Sequence, residues 1–154
     1  MSLSKQIAKH FKDVFFGGNW TVSCMKEQLA DVTWQQAITK LDSFNSIIAL
    51  TYHSYYFVTA LLDVLEGKPL TAHDKYSFNH PQIQSQQGWE DFLNKIWSDV
   101  ERTALLIEHL PNDKLDEDFA DAKYGSYYRN INGIIEHTHY HLGQITLIKK
   151  MLNK

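Results

Sequence analysis

Residues 136–144 read Glu136-His137-Thr138-His139-Tyr140-His141-Leu142-Gly143-Gln144, and they centre a segment over 124–152 whose reading decides the fold. Around them Ile131, Ile134, Ile135, Leu142, Ile145, Ile148 and Leu152 recur at intervals of three and four, the period of an α-helix with one apolar face. On such a helix His137 and His141 stand one turn apart on a single face, separated by about 6 Å of rise, while His139 points elsewhere. Two imidazoles so placed can each direct a ring nitrogen at one ion, which is why the His-x3-His spacing recurs in metal sites. The chain holds eight histidines, so a single i, i+4 coincidence means little by itself. The setting means more. Both rings lie on or beside the apolar stripe near Ile134, Ile145 and Ile148, where an unsatisfied polar ring is costly.

Working outward, Trp89, Phe92, Leu93, Ile96, Trp97, Val100, Ala104, Ile107 and Leu110 keep the same period until Pro111 closes a second long helix. Residues 67–87 carry Gly67, Pro69 and Pro81 and are too long for a tight helical hairpin, which predicts a crossover between non-adjacent ends of a bundle. Before it, Asn45 or Ser43 caps a helix that runs through His53 to Leu65 and ends at Glu66-Gly67. His53 belongs to the apolar row of Leu50, Phe57, Leu61 and Val64. The first helix carries Leu3, Ile7, Phe11, Val14 and Phe15 and stops at Gly17-Gly18. Residues 19–44 are broken, with Ser23 and Thr33 as N-caps and Gln36 completing a capping box, and Trp20 and Trp34 are expected to plug this segment into the bundle. No alternating run marks a sheet. The predicted class is all-α: one domain over 1–154, a four-helix bundle with a long crossover connection.

Composition narrows the function. An apolar share of 44% with 21% charged residues is ordinary for a globular chain. A formal charge of -3 provides no basic field for nucleic acid or an anionic membrane. No stretch reads as the roughly 18 apolar residues a membrane span needs, and Lys5, Lys9 and Lys12 interrupt any signal-peptide core, so a cytoplasmic location is expected. The acidic residues Asp113, Asp116, Glu117, Asp118 and Asp121 read as a solvated loop. Cys24 stands alone, which excludes an internal disulfide and any paired-cysteine metal site.

Two metal chemistries are disfavoured by the residues present. A zincin peptidase needs a glutamate directly after the first histidine of the helical pair, as general base, and this chain has Thr138 there. A di-iron carboxylate bundle uses two Glu-x2-His motifs, and only Glu136-x2-His139 is found, read here as an exposed helix face. His10, His73, His80 and His109 sit in a short helix, in loops or in a last helical turn and need no shared ion. Tyr52, Tyr56, Tyr140 and Arg129 lie within one or two turns of the candidate ligands and are pocket residues by position alone.

Ser46-Ile47 followed by His53, and His137-x3-His141-x-Gly143-Gln144 near the end of the chain, resemble the DinB/YfiT superfamily of small metal-binding helical bundles. The likeness extends to the Trp20 neighbourhood and to Tyr124-Gly125-Ser126-Tyr127-Tyr128, and so covers most of the sequence. It implies that His53, His137 and His141 are the protein ligands of one divalent ion, commonly nickel or zinc. Leu142 departs from many relatives, which carry arginine after the last histidine, so no role of that arginine transfers. Gly143 within a helix marks a place for close approach, read as the helix bearing His53 drawn in to share the metal. Gln144 reads either as a partner that fixes a ligand tautomer or as an exposed glutamine.

Three neutral imidazoles leave the ion its full charge and at least one open position, the catalytic rather than the structural pattern. An open position can acidify water or hold a thiol as thiolate. Accordingly the resemblance implies a hydrolase, or an S-transferase for a low-molecular-weight thiol, acting on a small-molecule substrate, in a homodimer. The alternative is a metal-binding or purely structural bundle that holds a ligand or partner without turnover.

Overall fold

Each of the four long helices starts in the same way, on a serine. Ser2, Ser46, Ser85 and Ser126 adopt extended backbone, and each hydroxyl accepts the N–H three residues further on, satisfying one of the orphan donors of a helix start. In the computed structural model, which describes residues 1–153, these caps open α1 (Leu3–Phe16), α4 (Ile47–Leu65), α5 (Gln86–Glu108) and α6 (Tyr127–Leu152). Two short helices, α2 (Met25–Leu29) and α3 (Trp34–Ile38), and three 3-10 turns lie between them. No strand occurs among the described residues, and the class is all-α. Thr33 and Gln36 form the capping box that the sequence predicts for α3. Two caps differ from expectation. Ser46, one residue beyond Asn45, starts α4, and α2 starts after Cys24, which makes no side-chain cap, rather than at Ser23.

The long helices pack as a ring: α1 lies against α5 and α6, and α4 lies against the same two. Phe11, Phe15, Leu61, Trp89, Ile96, Ile107 and Ile131 are sealed at the centre. Trp89 donates its indole N–H to the carbonyl of Val32 at 2.9 Å, which ties the broken segment to α5. Contrary to the sequence reading, α4 is long and apolar enough to cross a membrane by length and composition, although 67% of the qualifying window is buried inside the fold. The acidic segment is also more than a solvated loop, because Leu115 and Phe119 are buried and the Tyr127 N–H donates to the Glu117 carbonyl.

Trp20 does not plug anything. It is 98% exposed, whereas Trp34 does pack against the core. The cause lies in Asn19, whose amide donates to the carbonyls of Asp13 and Ser23 while its oxygen accepts from the Thr21 N–H and O–H. This side chain closes the turn on itself and faces the tryptophan outward.

Candidate metal centre

His53 projects from the middle of α4, and His137 and His141 project from α6, which packs beside it. The Nε2 atom of His137 lies 3.0 Å from Nε2 of His53 and 3.0 Å from Nε2 of His141, and the three candidate ligand atoms all fall within 4.8 Å of one another. Metal–nitrogen bonds of about 2.0–2.1 Å at angles between tetrahedral and octahedral separate ligand nitrogens by roughly 2.9–3.4 Å. The two short separations fit.

Hydrogen bonds on the far side of the rings set which nitrogen faces inward. Ser77 donates its hydroxyl to the Asp74 carbonyl at 2.7 Å, which leaves its oxygen to accept from Nδ1–H of His53 at 2.9 Å. Likewise Nδ1–H of His141 donates to Oε1 of Gln144 at 2.7 Å. Both rings therefore present an unprotonated Nε2 to the cluster, the form that binds a metal. A proton on Nε2 of His137 satisfies only one neighbour at a time. A cation between the rings could take a lone pair from each of the three. Nδ1 of His137 is buried without a hydrogen-bond partner among the described residues.

Apolar rings wall the cluster. Phe78 stacks on His53 with centroids 4.0 Å apart, and Phe57 meets both His53 and His137 edge-on. Burial, reinforced by the neighbouring histidines, pushes the pKa of His137 down to about 4. His53 is lowered by burial and by the charge of His141, against the pull of Asp74. Burial also lowers His141, against the hydrogen bond its ring donates to Gln144. All three rings are thus held neutral near pH 7, ready to act as ligands.

His137 also lines an open cleft of about 700 Å³, together with Phe57, Tyr124, Tyr128, Arg129 and Gly133. Of the four pocket residues named from sequence, Arg129 alone lies there. Tyr140 is exposed, and the Tyr56 hydroxyl is engaged with the backbone of His73. His139 turns away from the cluster and is half-buried rather than exposed, with its pKa lowered by burial and by the neighbouring His10. Gly143 does not mark a close helix approach: it is exposed, and a Cβ added there meets nothing within 4 Å. Gln144 takes the tautomer-fixing role, and Ser77, Asp74 and Phe78 join the site from the segment between α4 and α5, where sequence reading saw only a polar connection.

Fold and site together define an all-helical protein with a three-histidine cluster that could hold a metal ion. Comparison with protein-family models, with curated proteins and with solved structures found no match.

Proposed function

We propose that this chain is a mononuclear metal-dependent enzyme of the DinB/YfiT kind, a four-helix bundle with a crossover, acting on a small molecule at His53, His137 and His141. The observation that carries this reading is the convergence of three Nε2 atoms, two with their tautomers fixed by Ser77 and Gln144. A structural core histidine has no reason to present its lone pair to two others, whereas a ligand set does. Imidazole donors suit zinc and nickel, the two ions expected here.

When bound, the ion supplies a Lewis-acidic position that lowers the pKa of a water or thiol beside it. The chain supplies the rest. Ser77 and Gln144 keep the ligand nitrogens deprotonated and aimed inward. Phe57 and Phe78 shield the cluster from solvent on two sides, and the cleft at His137 gives a small molecule access. Both hydrolysis and thiol S-transfer are compatible with this arrangement.

A thiol titration of cobalt-loaded protein separates them. A shifted visible band on adding a low-molecular-weight thiol supports S-transfer, and a spectrum that no thiol changes eliminates it and leaves hydrolysis or binding without turnover. A homodimer is the proposed assembly. Phe44, Leu147 and Met151 are exposed around an apolar hollow of about 350 Å³ on the outer side of α6, a surface that a second copy would cover. Light scattering that gives the mass of a monomer would contradict it.

A further inference from the structure

Arg129, Gly133 and His137 follow one another at four-residue spacing along one side of α6, and all three line the same cleft. Eight residues of helix separate the arginine from the histidine by about 12 Å along the axis. Between them Gly133 leaves bare backbone, since a Cβ built there meets nothing within 4 Å. The floor of the cleft is therefore a shallow track from a guanidinium at one end to the histidine cluster at the other.

The charge along this track is uneven. Arg129 forms no ion pair among the described residues, and Lys123, on the same cleft, has its nearest carboxylate, Asp121, at 3.7 Å. Glu136 is the carboxylate that lines the cleft, and it sits at the histidine end. The stem of Arg129 passes close over Gly125. That residue has φ +74, which favours glycine, and a Cβ on it would lie 2.7 Å from Cδ of Arg129, so a larger residue there would push the arginine stem aside. Phe57 and Ile134 add apolar surface along the way.

We infer that this cleft binds a small elongated oxyanion, with its carboxylate or phosphate group on Arg129, an apolar body over Gly133 and its other end at the three histidines. The last part rests on the metal reading above, and the first two do not. A planar guanidinium fork matches either anion in a bidentate manner. Glu136 repels a second negative group near the histidines and so fixes which way the molecule lies.

The test is a titration by NMR with hexanoate, hexyl phosphate and hexanol, following the amides of 129–137, with and without one equivalent of zinc. Without zinc the anions are expected to bind more tightly than hexanol. Arg129→Gln should weaken the anions about tenfold, the loss of one charge-assisted contact, and leave hexanol unchanged. Whichever anion saturates first identifies the headgroup. Gly133→Leu should abolish binding of all three while the fold and metal content stay intact, and Gly143→Leu, with equally open space and no place in the cleft, should change nothing. Equal affinity for hexanol and the anions, or an Arg129→Gln protein that binds as the parent does, overturns the inference. Anion binding in a protein that takes up no zinc would sink the metal reading and leave the anion cleft standing.

Discussion

His53 and His137 stand 84 residues apart in the chain, yet their Nε2 atoms approach to 3.0 Å. Neither helix could hold this contact alone, because α4 contributes one ring and α6 the other two. The segment that joins α4 to α5 passes over His53, bringing Ser77 to its Nδ1 and Phe78 to its face. One connection thus performs two tasks: it links helix ends, and it sets the protonation and packing of a ligand.

If an ion sits among these rings, removing one of them should empty the site. Elemental analysis is expected to find about one equivalent of transition metal in the parent and a large loss in His141→Ala, since two ligands form too few bonds. His53→Ala should behave alike although it changes a different helix. Full metal retention in either variant would locate the ion elsewhere.

Ser77 touches no candidate ion, and its effect should still be felt there. Ser77→Ala frees Nδ1 of His53 and allows the tautomer that protonates Nε2, so metal affinity should drop about 10–100-fold. Competition against a chelator measures this directly. An unchanged affinity would mean that packing under Phe78 alone orients the ring.

The long apolar helices and the i, i+4 pair on α6 were readable because periodicity and spacing are local properties of the chain. His53 was different: its row identified an apolar face, but its selection as a ligand came from family resemblance, since no local pattern connects it to α6. Ser77 and Phe78 were invisible for the same reason, lying in a polar connection whose path depends on tertiary packing. Trp20 misled because hydrophobicity favours burial, while the Asn19 side chain dictates the turn. Gly143 misled and Gly133 passed unnoticed because a helical glycine signals missing volume without saying on which face the space is needed.

Acid should weaken the metal-free fold through the histidine cluster. In the unfolded chain the imidazole of His137 takes a proton near its ordinary pKa of 6.5, and in the folded chain only near 4. Between those values the unfolded state binds more protons, so stability falls as pH drops from about 6.5 to 4 and levels off below. His53 and His141 shift in the same direction and steepen the fall. Urea unfolding at pH 7.5, 6 and 5 should show this slope in the parent and a shallower one in His137→Phe. Adding zinc should move the acid transition lower, because protons and metal compete for the same lone pairs.

Thr51 offers a test of the core that is independent of any ion. Its side chain is fully buried in the second turn of α4, and its hydroxyl has no hydrogen-bond partner among the described residues. An unpaired buried hydroxyl costs free energy that valine, of nearly the same shape and helix propensity, does not. Thr51→Val should therefore raise the stability measured by urea unfolding by about 1 kcal/mol, with metal content unchanged. A Thr51→Val protein less stable than the parent would contradict this.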